Sequence, residues 1–267
     1  MAWLTAVVLI IGLRATMAPP PLALDPESST LDRVRVMAAR GTGALVGSLT
    51  AGVLVMGFGG RLMMRVLAAT SSDAVQGAIT DMEAVVGRVT VGGTVGFVLF
   101  VGAGTGVIGW LARLALRRWL PHRSLVAGLV AAGIGAGLFA RPSSLLEPTN
   151  EDFAILSPDW LAVGLILGLI ATFGMVLAIL SDLGAARWPV PQSPAQTIWL
   201  APLLPILLMP PIAAAVSIVT FARAKIGRVD GFRVTGWADR FAPLVTTAAG
   251  VAGGAWTLAG ALEILTA

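Results

Sequence analysis

The chain has no cysteine and no tyrosine, a single lysine (Lys225) and a single histidine (His122), and only 12% of its 267 residues are charged. Each absence removes a class of chemistry. Without cysteine there is no disulfide framework, and with one histidine no zinc site of the usual kind can be built, which leaves only a carboxylate-only site for a hard cation; neither a metal nor a cofactor is expected. His122 lies between Pro121 and Arg123 in a basic connector. No histidine therefore falls in an apolar stretch where it could act as base for a hydroxyl such as Ser48, and Lys225 follows the apolar stretches instead of lying in one. Hydrolysis within a membrane lacks its base, and the chain does not read as an enzyme. Charge is scarce as well, since a soluble domain carries roughly 25% charged residues. The formal excess of +4, from 18 basic against 14 acidic residues, is too small for a nucleic-acid footprint, and no nucleic-acid partner is expected.

What the sequence has instead is apolar length. It is 57% hydrophobic with a mean hydropathy of +0.88, more than one water-soluble core can hide. Uncharged stretches separated by short polar connectors predict an all-α, polytopic transmembrane helix bundle of about six membrane segments. The segments fall at 43–60 (continuing as helix toward Ala69), 89–112, 124–140, 160–181, 198–222 and 241–265. Residues 1–41 read as an N-terminal extension, with a short apolar segment and a polar linker, and residues 42–267 as the bundle. Three readings fit the apolar run 1–13: a signal-peptide core, a membrane-surface anchor, or sequence upstream of a later start at Met37. Trp110, Trp119, Trp160, Trp188, Trp199 and Trp237 fall near segment ends, where indoles suit the headgroup layer.

Basic residues set the orientation. Arg33, Arg35 and Arg40 share a side with Arg113, Arg117, Arg118 and Arg123 if the first two segments form a hairpin, and that side should be cytoplasmic. Loops 70–88 and 141–159 are then external. Six plain crossings would put the basic stretch 223–240 outside, against the same rule. Pro202, Pro205, Pro210 and Pro211 make an unbroken helix at 198–222 improbable. That fifth segment is either a kinked crossing or a Pro-broken, re-entrant one.

Two residue patterns stand out. Gly43/Gly47, Gly92/Gly96, Gly102/Gly106 and Gly164/Gly168 recur at i, i+4 spacing and predict small-residue faces through which helix backbones approach closely. The run Gly104-Thr-Gly106-Val-Ile-Gly109 matches a dinucleotide fingerprint, but it lies inside an apolar segment with no strand before it and belongs to the same packing pattern. The second pattern is Arg61 and Arg65, one turn apart and hence on one helix face, followed by Asp73, Asp81 and Glu83 in loop 70–88. Two guanidinium groups after an outward-running segment predict an ion-paired cap or an anion or headgroup site, with those three carboxylates as the nearest partners, or else two side chains that snorkel to the interface beside a solvated loop.

The runs Gly60-Arg61-Leu62-Met63-Met64-Arg65, Gly87-Arg88-Val89-Thr90-Val91-Gly92-Gly93-Thr94 and Leu116-Arg117-Arg118-Trp119-Leu120-Pro121, with Asp152-Phe153-Ala154, resemble a group of actinobacterial multi-pass membrane proteins to which no activity is assigned. The resemblance covers residues 38–181 and leaves out residues 1–36. It implies a bacterial plasma-membrane location and nothing catalytic.

Two function classes follow. One is a non-catalytic scaffold or accessory membrane subunit that packs through its glycine faces against a second copy or a partner membrane protein. The scarcity of ionisable groups in the segment centres favours it. The other is a permease, channel or lipid-handling protein. Membrane lipids are partners in either case. A polar cavity reaching the midplane would favour transport, and a sealed bundle with an exposed glycine groove would favour assembly.

Overall fold

The computed structural model describes residues 30–79, 85–117, 119–121, 124–140, 146, 150, 156–207 and 235–266. Among these the regular structure is helical, apart from one isolated antiparallel bridge between Ile79 and Val85. Four helices are long and apolar enough to cross a membrane: Val34–Thr70, Val91–Leu116, Asp159–Arg187 and Pro243–Thr266. They match the expected first, second, fourth and sixth segments. The third is a shorter apolar helix, Ser124–Leu138. Of the fifth, only residues 198–207 are described. They form the end of a 3-10 helix, Pro194–Leu203, with Pro202 inside it, and one α-turn, Leu204–Leu207. The missing N–H donor at Pro202 fits the 3-10 geometry of the part described; residues 208–222 of the expected segment lie outside the described residues.

The sequence boundaries shift in two places. Helix begins at Thr30, with Asp32 in its first turn and an Asp32–Arg35 pair at 3.7 Å, so the expected polar linker is, from Thr30 onward, the opening of the first long helix. An acidic residue at the N-terminus and an i, i+3 ion pair stabilise those exposed turns. Trp110 is the second correction. It is 4% exposed, and its indole N–H donates to the Gly41 carbonyl at 3.1 Å, so it joins the first two long helices inside the bundle and does not anchor a headgroup layer.

Packing runs across the bundle in the order second, first, fourth, third and final helix. Glycine makes this possible. A β-carbon on Gly43 would overlap the backbone of Gly184, and one on Gly47 would overlap Leu180. A β-carbon on Gly106 would lie 2.8 Å from the Ser48 carbonyl oxygen, and one on Gly128 2.8 Å from the Met175 α-carbon. Main chain thus meets main chain, the arrangement expected of small-residue faces.

Of the four expected glycine pairs, two pack in full. Gly43, Gly47, Gly102 and Gly106 all take part in this packing. Gly92, Gly96 and Gly164 have open space where a β-carbon would go, so these three do not pack inside the bundle. Gly168, the expected mate of Gly164, is only half-buried in the fourth helix, while Gly164 itself is exposed. Gly164 therefore meets no other helix among the described residues. The fourth helix turns Gly174 and Gly184 to its neighbours instead, against Gly128 and Gly43. Spacing alone identifies a small-residue stripe, whereas the rotation of the helix decides whether another helix meets it.

Where the first two long helices meet, both are π-helical, over Gly52–Gly59 and Val98–Ala103, and the two stretches pack against each other. A third π-helical stretch, Ala136–Ala140, ends the short helix. π-helix is rare and usually appears as single-turn bulges near functional sites.

Hydrogen bonds define the two ends of the bundle. At one end are the Trp110–Gly41 bond and a bond from Thr246 to the Trp119 carbonyl at 2.6 Å. At the other, the Ser157 N–H donates to Ser71 Oγ at 3.0 Å, and Ser71 Oγ donates to the Leu67 carbonyl at 2.8 Å.

Candidate functional site

The cavity that stands out lies at the Ser71–Ser157 end, between the first, second and fourth long helices. It has a volume of about 530 Å³, within the range of roughly 300–1,000 Å³ typical of small-molecule sites. Its walls are mainly apolar, with Met56, Met63 and Met64 from the first long helix, Phe97 and Val101 from the second, and Ile166, Leu169 and Ile170 from the fourth. The charged groups lining it are Arg61, Arg65 and Arg88, and no carboxylate faces it among the described residues.

Local structure fixes Arg61 in particular. The second long helix starts at Val91 because Thr90, in an extended conformation, accepts the Gly93 N–H on its hydroxyl at 3.1 Å, an ordinary N-cap. Gly93 has no side chain, so the Arg61 guanidinium reaches its carbonyl and Nη2 donates to it. A β-carbon at Gly93 would lie 3.2 Å from that nitrogen. One turn on, the Phe97 ring packs over Gly60, and its centroid lies 4.8 Å from the Arg61 guanidinium carbon. Cation–π attraction and one charge-assisted hydrogen bond therefore hold the group. Nη1 meets the Met64 sulfur at 3.9 Å. Nε is buried and has no acceptor among the described residues.

The expected carboxylate cap is not what the described residues show. Asp73 is exposed on a short 3-10 turn, Asp73–Val75, and forms no ion pair among them. The loop starts under constraint, because Ser71 is tied to Leu67 and Ser157. Gln76 is turned back as well, its side-chain amide donating to the Ala68 carbonyl at 2.8 Å. Positive φ at Gly77 (+88°) and Gly87 (+79°) closes the loop, and the Gly77 N–H reaches the Val86 carbonyl at 3.1 Å. Asp81 and Glu83 lie outside the described residues. Arg65 lines the same cavity as Arg61, as one helical turn requires, but is exposed.

A second polar centre, at the opposite end, is one that sequence reasoning missed. Arg113 Nη2 donates to Asp182 Oδ1 at 2.6 Å, Ser124 Oγ donates to Oδ2 at 3.1 Å, and Arg117 Nη2 lies 3.9 Å from Oδ1. The Arg113 side chain is 8% exposed and that of Asp182 28%. The cluster ties the end of the second long helix and the start of the short helix to the last turns of the fourth. Arg113 is thus part of a buried tie and not of a solvated basic connector. The available signal was positional: Arg113 and Asp182 are each the first charged residue after an apolar segment, at the end the topology shares.

Comparison with protein-family models, curated proteins and solved structures finds no match. The reading of both centres rests on their geometry.

Proposed function

We propose that the chain is a multi-pass protein of a bacterial plasma membrane that handles lipid, binding an anionic amphiphile in the cavity beside Arg61. One observation carries this: an apolar cavity whose charged lining, among the described residues, is three arginines and no carboxylate. Apolar walls favour hydrocarbon, and guanidinium groups with spare N–H donors favour an oxyanion. Membrane lipids offer both in one molecule. Scaffolding through glycine faces is the second reading: Gly43, Gly47, Gly102 and Gly106 are used in packing this chain against itself, and what supports it is the open space beside Gly92, Gly96 and Gly164.

For topology, we infer that the Arg113–Asp182 end faces the cytoplasm and loops 70–88 and 141–159 face outward, which puts the cavity in the outer leaflet. The proline-rich stretch then enters and leaves on the cytoplasmic side. Leu203 packs beside Leu45 and Trp110, and Thr246 bonds to Trp119, so both flanks belong to one end of the bundle. That arrangement also returns the basic residues of 223–240 to the side the positive-inside rule favours.

The test is to purify the protein in mild detergent and identify the lipid that comes with it. Anionic species should be enriched over the bulk membrane and lost in Arg61→Ala. Identical lipid profiles for the two proteins would refute the proposal.

A further inference from the structure

The second long helix is held differently along its two halves. Gly104–Leu116 is locked into the bundle: a β-carbon on Gly106 would lie 2.8 Å from the Ser48 carbonyl oxygen, Trp110 bonds to Gly41 at 3.1 Å and Arg113 to Asp182 at 2.6 Å. Val91–Phe97, the other end, contains no buried residue, and Val91 is 82% exposed. Among the described residues, its ties to the first long helix are the Arg61 guanidinium on the Gly93 carbonyl and the Phe97 ring over Gly60 and Arg61. The run that leads into it, Gly87–Thr90, is exposed and begins at a glycine with a φ of +79°.

The two halves meet at the π-helical stretch Val98–Ala103. A π-turn carries one residue more than the α-helical ladder accommodates, and helices kink where such a turn is inserted. Thr105 acts on the same turn, because its hydroxyl donates to the Val101 carbonyl at 2.7 Å and to the Gly102 carbonyl at 3.0 Å. Back-bonding of this kind bends helices. The first long helix presents its own π-helical stretch, Gly52–Gly59, as the bearing surface. A β-carbon on Gly102 would lie 3.1 Å from the Val53 α-carbon, and one on Gly57 3.3 Å from the Val98 α-carbon, so neither glycine puts a side chain into the pivot.

A hinge, an arm with nothing buried and a polar tie near the arm's tip thus coincide in one wall of the cavity, which Phe97 and Val101 line. We infer that Val91–Phe97 is a gate to this cavity, hinged at Val98–Ala103 and held shut by Arg61. The inference goes beyond the lipid-handling reading and is independent of what occupies the cavity. Val91 and Val95 are already exposed, so opening uncovers little apart from Phe97. The arm has seven residues, about 10 Å at 1.5 Å per residue, and a bend of about 30° would move its tip by about 5 Å.

The experiment measures spin-label distances by double electron–electron resonance on the full chain in detergent. Cysteine pairs are placed at Val91 and Trp160, on the arm and at the start of the fourth long helix, and at Ile108 and Ala186 in the locked half; all four sites are exposed and the native chain has no thiol. Arg61→Ala should lengthen the Val91–Trp160 distance by about 5 Å and leave the Ile108–Ala186 distance unmoved. Phe97→Leu, which removes the ring and keeps an apolar side chain, should shift the same pair by less. A Val91–Trp160 distance identical in the unaltered chain and both variants would overturn the inference, as would a lengthening of both pairs together, which would mean a loosened bundle and no gate. Should neither variant fold, the unaltered chain decides: two distances for Val91–Trp160 beside one for Ile108–Ala186 support the gate, and one for each overturns it. The distances report nothing about bound lipid, so the gate and the lipid-handling reading fail separately.

Discussion

Replacing Asp182 with alanine removes the one carboxylate that three side chains share. Arg113, whose side chain is 8% exposed, would keep its charge inside the bundle with nothing opposite it, and Arg117, 3.9 Å from the same oxygen, would become a like-charge neighbour. Ser124 would lose its acceptor. Breaking a buried pair by removing one partner costs roughly 3–5 kcal/mol, most of it the uncompensated charge. Asp182 is 28% exposed, so the low end of that range applies, about 3 kcal/mol. At about 2–4 °C per kcal/mol for a chain of this size, the melting temperature should fall by about 6–12 °C. Intrinsic tryptophan fluorescence of the detergent-solubilised protein reads the transition, with eight tryptophans as reporters. Arg35→Ala is the control, since its partner Asp32 is 3.7 Å away and both side chains are well exposed, a pair worth about 0–1 kcal/mol. The double variant Arg113→Met with Asp182→Leu should recover most of the loss, because an apolar pair of similar size leaves no charge stranded. A shift for Asp182→Ala no larger than for Arg35→Ala would refute the account of this cluster as a buried tie.

Gly47→Val should abolish the monodisperse folded peak in size-exclusion chromatography, because a side chain there overlaps the Leu180 backbone, which no rotamer change relieves; the same substitution at Gly164, where the space is open, should be tolerated. Cysteines introduced one at a time at Ser72 and Thr235 should be labelled from opposite sides of intact cells, Ser72 from outside and Thr235 only after permeabilisation; the native chain has no thiol to interfere. Labelling of both from outside would refute the proposed return of the proline-rich stretch. Arg65→Ala should lower the melting temperature by less than about 2 °C, as expected for an exposed arginine with no ion pair among the described residues. A fall as large as that of Asp182→Ala would show that it is paired after all.

Much of the helical framework is legible because apolar length is a strong signal. An uncharged run of eighteen or more residues has few alternatives, and the first, second, fourth and final long helices follow those runs closely. The ends are harder. The second long helix runs to Leu116 and the fourth to Arg187, each a turn or more beyond its apolar segment, and those extra turns bring Arg113 and Asp182 together. Charge next to an apolar run reads as a boundary, whereas burial depends on what the other helices place there. The cavity end shows the same limit in another form. An unpaired Arg61 needs an acceptor and the nearby carboxylates are the natural candidates in sequence, yet the acceptor described is a main-chain carbonyl, exposed by a glycine and flanked by an aromatic ring. Every residue has a carbonyl, so sequence offers no means of choosing Gly93. The π-helical stretches leave no trace in sequence either, since Gly52–Gly59 and Val98–Ala103 are composed like the α-helical turns around them.

The short helix has a consequence for the bilayer itself. Its apolar stretch ends at Ala140, since Arg141 and Pro142 follow, and it begins at Ser124, after Arg123. Residues 124–140 rise about 25 Å against a hydrocarbon layer of about 30 Å. Leu125, Val126, Leu129 and Leu138 are exposed on its surface among the described residues. In the proposed multi-pass arrangement the short helix would fall about 5 Å short of a full span on that flank, a deficit that thinning of the bilayer would meet, while the 29-residue fourth helix would impose no such demand. In that arrangement the protein would carry a thickness gradient around its perimeter. Mismatch costs fractions of a kcal/mol per Å, enough to bias it toward thinner membrane regions, and two copies that bring their thin flanks together share one dimple in place of two.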